Sequence, residues 1–264
     1  MTEGTSPEAP VIVTVVAPHV ALVTLNRAEA RNAVNAEMAQ ALDGVVKRTE
    51  ADPDIRAVIL AGAGEQVFCA GADLKEIAAG KGDLLWTPDG GFAGFAYAQR
   101  SKVWIAAVHG LALAGGCEIA LACDMIVAAD TAAFGLPEVT RGLIASAGGL
   151  YRLPRALPRV VALEMIATGA RLDARRAYEL GMVNRLVPVD QVGAAAVALA
   201  TTISGNAPIA VRESLTIARQ AVDLTDVELR QLSRAARRRI MATADYREGP
   251  RAFIERRAPK WTGQ

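Results

Sequence analysis

Histidine is almost missing: the 264 residues include only His19 and His109. Two rings cannot build a multi-histidine metal centre, and a serine or cysteine hydrolase would have to use one of them as its base. Cysteine is equally sparse. Cys69, Cys117 and Cys123 are odd in number and form neither a CxxC pair nor a zinc-ligand spacing. That argues against a disulfide scaffold or a cysteine-rich metal site and suits a reducing compartment. An excess of either charge is missing too, since 29 basic and 28 acidic residues leave a formal net charge of +1. Bulk electrostatics therefore give no reason to expect a nucleic-acid partner. No long apolar run exists either; Ile105–Ala114 is broken by His109 and Gly110 and falls short of a bilayer span. Met1–Pro10 carries Glu3, Glu8 and two prolines, not a basic region followed by an apolar one. The expectation is a soluble, cytoplasmic protein with a flexible tail over residues 1–10.

What is there is enough apolar material for a substantial core: 52% hydrophobic residues against 22% charged, a balance that excludes global disorder. Val11–Val16 and Val20–Leu25 read as strands joined by Ala17-Pro18-His19. Met38, Ala41, Leu42, Val45 and Val46 fall at helical spacing within Glu37–Thr49, with Asn35 as N-cap. Arg56–Ala61, Trp104–Val108 and Met125–Ala129 are short apolar strands of the buried kind, and Gly115–Cys123 reads as a buried helix. The alternation predicts an α/β fold with a largely covered parallel sheet. Ala78–Arg100, rich in glycine and holding Trp86, Phe92, Phe95 and Tyr97, reads as a mobile lid or pocket wall. From about Ala162 the chain turns helical, with one strand-like piece at Met182–Val187 and helices over Val192–Ser204, Ile209–Val222, Asp226–Ala242 and Tyr246–Arg256.

Two motif matches fail on context. Gly62-x-Gly64 follows a strand, but the third glycine position holds Val67 and no amphipathic helix opens there, against a dinucleotide site. Ser146 in Ile144-Ala145-Ser146-Ala147-Gly148 resembles a nucleophile elbow at one end only. His109 reads as a satisfied strand-terminal residue. Gly115-Gly116 is more informative: paired glycines at a helix start leave N–H groups open and let a ligand approach closely. The helix dipole adds positive character there. Glu118 follows one turn later in an apolar run, where a carboxylate is costly unless partnered. Glycines kept for packing and a glutamate tied to a distant arginine would fit that segment equally well. Ala70-Gly71-Ala72-Asp73 is a second place for an open N–H, and Pro137-Glu138 places a second acid at the start of a short helix. Two open donors and two carboxylates around one cavity would suit a carbonyl compound whose α-carbon gains or loses a proton.

At these residues the sequence resembles the enoyl-CoA hydratase/isomerase family, the crotonase superfamily. The resemblance runs from Leu25–Ala33 through Phe68–Lys75, Ala114–Asp124, Phe134–Glu138 and Gly148–Pro154 to Leu180–Asn184 and Glu248–Phe253. It implies a spiral of β-β-α units over residues 11–190, then a helical region over 191–264 that builds a homotrimer, with two trimers stacking into a hexamer. It implies an acyl-CoA thioester as partner and no cofactor beyond that coenzyme A. By motif position it places the oxyanion donors at Ala72 and Gly115 and the two hydratase glutamates at Glu118 and Glu138. Substrate contacts fall on Arg27, Ala30, Arg31, Ala70, Asp73, Leu74, Lys75 and Ser146. The implied reaction is syn hydration of a trans-2-enoyl-CoA. Dehydration of a carnitinyl-type thioester, isomerisation, thioester hydrolysis and a catalytically weak scaffold are the alternatives. Where relatives carry Pro-Gly-Ala-Gly-Gly this chain reads Ala145-Ser146-Ala147-Gly148-Gly149. The Ser146 N–H is expected to remain open to water. The run Arg237-Arg238-Arg239 reads as a solvated or interface helix face.

Overall fold

A computed structural model describes residues 8–264, so residues 1–7 of the expected tail lie outside the described residues. The last stretch of that tail is tied down: the Ala9 and Pro10 carbonyls accept from the side chain and backbone N–H of Asn26. Strands β1 (Val11–Ala17) and β2 (Val20–Leu25) form an antiparallel hairpin. Helix α1 (Ala36–Ala51) begins where the Asn35 side chain accepts from the Met38 N–H. It buries Met38, Leu42, Val45, Val46 and Thr49 and ends ahead of Pro53, a residue that turns its predecessor away from helix.

Three similar units follow. In the first, β3 (Ala57–Gly62) leads to β4 (Val67–Cys69) and helix α2 (Leu74–Ala78). A wall segment with the small hairpin β5 (Trp86–Thr87) and β6 (Gly91–Phe92) intervenes. In the second, β7 (Val103–Val108) leads to β8 (Leu111–Leu113) and α3 (Gly115–Ala122). In the third, β9 (Met125–Ala129) leads to β10 (Ala133–Gly135), a 3-10 turn at Pro137–Arg141 and α4 (Gly149–Ala156). Helix α5 (Arg159–Thr168), strand β11 (Arg171–Asp173), helix α6 (Ala174–Glu179) and strand β12 (Arg185–Val187) complete the sheets.

The first strand of each unit enters a six-stranded sheet, β1-β2-β3-β7-β9-β12, and the second enters a four-stranded sheet, β11-β10-β8-β4. Pairing from β2 to β12 is parallel throughout. The chain therefore winds as a spiral, each turn stacking on the last in both sheets. All six residues of β7 are buried, as a strand covered on both faces requires. Helices α3 and α4, which end the second and third units, consequently lie against each other.

Helices α7 (Val192–Ser204), α8 (Pro208–Ala218), α9 (Asp226–Met241) and α10 (Ala244–Ile254) end the chain. Buried Val192, Ala196, Ala200 and Ser204 recur every fourth residue on α7, a row of small side chains that lets it lie close along β3, β7 and β9. Among the described residues no single helix is long and apolar enough to cross a membrane.

Two sequence expectations need correction, and a third is narrowed. Met182–Val187 is a strand only from Arg185, because the N–H groups of Met182 and Val183 turn back to the Ala177 carbonyl and close α6. Of the two readings of Ala78–Arg100, mobile lid or pocket wall, the structure fits the wall: Leu85, Phe92 and Phe95 are buried, and Phe95 meets Trp104 edge-on at 5.0 Å. His109 ends β7 as read, but its Nε2 is buried without a hydrogen-bond partner, and burial lowers its pKa.

Candidate active site

Helix α3 starts from a strained residue. Ala114 sits at φ 51° and ψ −129°, a conformation costly for a residue with a Cβ. Its N–H is held by the Gly135 carbonyl at 2.9 Å, so β10 fixes the entry to the helix. Gly116 is demanded by contact: a Cβ there would lie 2.0 Å from the Cys69 carbonyl oxygen. Gly71, at φ +91°, approaches so closely that its Cβ would stand 2.8 Å from the Gly115 nitrogen. The loop after β4 and the start of α3 are thus pressed together. The N–H groups of Ala72 and Gly115 have no acceptor in the described chain, and both residues line one cavity of about 630 Å³. Open backbone donors converging on a cavity are the geometry of an oxyanion hole.

Both expected glutamates line the same cavity. Glu118, one turn into α3, is 3% exposed. It is not salt-bridged; the Gly149 N–H donates to its Oε1 at 2.8 Å. Burial is the main force on it and lifts its pKa to about 7. Glu138 adds to that rise, while the amides of Gly149 and Ala147 and the charge of Arg152 oppose it. Glu138 stands on the 3-10 turn opened by Pro137 and is 8% exposed, and its Oε2 has no hydrogen-bond partner. Burial raises its pKa as well, against its own backbone N–H and Arg141. Two buried acids in one cavity, both raised by burial and Glu118 to about 7, are suited to taking up and releasing protons.

The other expected contacts separate into two groups. Arg31, Ala70, Asp73, Leu74 and Ser146 line the cavity; Arg27, Ala30 and Lys75 do not. Arg27 instead braces the loop from behind, donating to the Ala33 carbonyl at 2.5 Å and to Asp73 at 3.3 Å. Asp73 also caps α2 through the Lys75 N–H. The Ser146 N–H is not open to water as expected, because it donates to the Ile144 carbonyl at 2.9 Å. Of the wall aromatics, Trp86 and Phe92 reach the cavity, whereas Phe95 is core and the Tyr97 hydroxyl turns to the Ser146 carbonyl. The sequence reading missed Gly149 as a partner of Glu118. The signal was there: Gly148-Gly149 opens α4 just as Gly115-Gly116 opens α3.

The family model described as Enoyl-CoA hydratase/isomerase matches residues 17–264. A carnitinyl-CoA dehydratase of Proteus mirabilis is 39% identical over 247 residues, covering 92% of this chain and 94% of that protein. The crystal structure of an enoyl-CoA hydratase from Mycobacterium tuberculosis H37Rv superposes with a TM-score of 0.92 at 40% identity, covering 97% of this chain and 100% of that one. That of an enoyl-CoA hydratase, EchA1, from Mycobacterium marinum gives 0.93 at 42% identity, again over 97% and 100%. The spiral of β-β-α units with trailing helices is the fold these chains share.

Proposed function

The chain belongs to the enoyl-CoA hydratase/isomerase family, and on that premise we propose that it is an enoyl-CoA hydratase, adding water syn across a trans-2-enoyl-CoA to give a 3-hydroxyacyl-CoA. The observation that carries this reading is the pair Glu118 and Glu138 on one cavity with the open N–H groups of Ala72 and Gly115. The thioester oxygen lies between those two donors. Glu118 takes a proton from water as the water oxygen bonds to C3. The C2=C3 π electrons pass toward the thioester, and the enolate charge collects on the oxygen facing Ala72 and Gly115. Glu138 then delivers a proton to C2. Each oxyanion donor is worth about 2.7–4 kcal/mol in comparable sites. The reading needs no cofactor beyond the coenzyme A of the substrate.

Arg31, with Arg27 and Ala30 behind it, and Lys75 at the start of α2 serve the coenzyme A end. Ala70, Asp73 and Leu74 flank the thioester, and Ser146 borders the acyl side. The molecule works in the cytoplasm, where its three free cysteines stay reduced. It assembles as a homotrimer or a pair of trimers through the last helices, which present Phe253 at 85% and Ile254 at 78% exposure. Light scattering should report a trimer or its multiple; a stable monomer would overturn the assembly.

Loss of the enoyl thioester absorbance on adding crotonyl-CoA tests the activity. Silence with short, medium and long acyl chains would defeat the hydratase reading. A carnitinyl-type thioester is the second arm, motivated by the Proteus relative.

A further inference from the structure

Tyr97 is anchored at its base and reaches outward. Its N–H donates to the Gly90 carbonyl at 2.8 Å, and its ring packs so tightly on Gly91 that a Cβ there would lie 2.4 Å from Cδ2. Trp86 lies on one side of the ring at 5.9 Å, and the Arg152 guanidinium stands 5.8 Å from its centre. From this seat the hydroxyl donates to the Ser146 carbonyl at 2.5 Å. No described peptide bond is cis, and in a trans peptide the N–H points opposite to the C=O. The N–H paired with the Ser146 carbonyl is that of Ala147, the amide that favours the charged form of Glu118.

We propose that Tyr97 is a positioning residue for this reaction: its hydroxyl pins the Ser146–Ala147 peptide so that the Ala147 N–H faces the Glu118 carboxylate. The proposal rests on the reading of Glu118 as the base. Without the hydroxyl, the peptide loses its outer tether and can rotate its N–H away. A bond to the carbonyl also polarises the peptide and strengthens its N–H as a donor. Arg152 holds the next peptide from the same side, donating to the Ala147 carbonyl at 3.0 Å and to the Ala96 carbonyl at 2.7 Å. The groups facing Glu118 are Glu138 from the 3-10 turn, Arg152 from α4, the Tyr97 hydroxyl from the wall and the Cys117 thiol from α3. Arg141 acts on Glu138, and Tyr151 adjoins the Tyr97 hydroxyl. All of these remain when only the Tyr97 oxygen is removed.

Tyr97→Phe keeps the ring and its packing. With crotonyl-CoA, the acidic midpoint of kcat/KM should move up by about half a pH unit or more, because the charged form of Glu118 loses a donor. The maximal kcat, reached between the two limbs of the profile, should stay within about threefold, since the base is intact there. Tyr151→Phe, which spares the Ser146 tether, should keep the parent midpoint. An unmoved midpoint in Tyr97→Phe, or an equal shift in both variants, would overturn the proposal. A titration free of any activity completes the test: carbon NMR of carboxyl-labelled glutamate, with the Glu118 signal identified by its loss in Glu118→Gln. The same upward move in Tyr97→Phe is expected, and its absence overturns the tether. A parent protein silent on crotonyl-CoA would defeat the hydratase reading, while the NMR titration would still decide the role of Tyr97.

Discussion

Two glutamates face one cavity, and their surroundings differ in kind. Glu118 lies on a regular helix, 3% exposed, with the Gly149 amide on one oxygen and the Ala147 amide beside it. Glu138 lies on a 3-10 turn, less deeply buried, with an exposed arginine near it and one oxygen without a partner. Burial raises both. Only Glu118 has backbone donors from another element to hold its charge once formed, which fits a base that must ionise before each turnover. Glu138 has an oxygen free for the substrate or its water, which fits a proton carrier. The same residue type thus acquires two aptitudes from its neighbours.

The sharpest way to break this comparison is to remove each carboxylate. Glu118→Gln and Glu138→Gln keep size and some hydrogen bonding, so each should lower kcat by about 10²–10⁴-fold with a smaller effect on KM. The double variant should lose less than the product of the single losses, since the two acids serve one addition and either loss already stalls it. Slowed exchange of the C2 proton with solvent should accompany Glu138→Gln. Near-normal hydration by folded Glu138→Gln protein would remove its role as donor.

How much of this pair could be read in the sequence depends on distance along the chain. Gly115-Gly116 with Glu118, and Pro137 with Glu138, are local patterns, and so was the capped helix at Asn35. Buried strands such as Met125–Ala129 declared themselves by composition. Strands β4, β8 and β10 have three residues each, too few for any period to register. The second sheet therefore went unread. So did the contacts that separate the two acids, because Gly149 stands 31 residues from Glu118 and Tyr97 stands 49 from Ser146. The family resemblance named the glutamates; only the fold reveals what surrounds each.

Stability offers a second, smaller handle on the same contrast. A carboxyl whose folded pKa is raised contributes stability that is fully present below its unfolded pKa and lost as pH rises through the folded one. For Glu118 that window runs from the ordinary value of 4.5 up to about 7. Glu118→Gln should therefore be more stable than the parent at pH 8, by on the order of 3 kcal/mol, and this gain should vanish near pH 4. Urea unfolding at both pH values reads the difference. The sign is opposite to that of activity: kcat/KM should fall below about pH 7 as Glu118 takes up its proton. An equal or lower stability of Glu118→Gln at pH 8 would mean that burial is not what holds this acid near neutrality.

The smallest effect should come from the arginines, and it sharpens the comparison from outside the pair. Arg152 is half-buried and bonded to two carbonyls of its surroundings, whereas Arg141 is exposed and makes only long contacts of 3.4 and 3.5 Å within its own turn. Arg141 favours the charged form of Glu138. Because it is solvated, its influence is screened by salt and is worth little. Arg141→Ala should let Glu138 keep its proton slightly more readily, displacing the alkaline limb of the rate profile upward. At low salt the change in kcat should stay below about threefold, and it should fade as ionic strength rises toward about 1 M, where the screening length shrinks to a few ångströms. The acidic limb set by Glu118 should not move. A shift of the acidic limb in Arg141→Ala would show the two carboxyls titrating as one coupled unit, and the division of labour drawn from their surroundings would have to be given up.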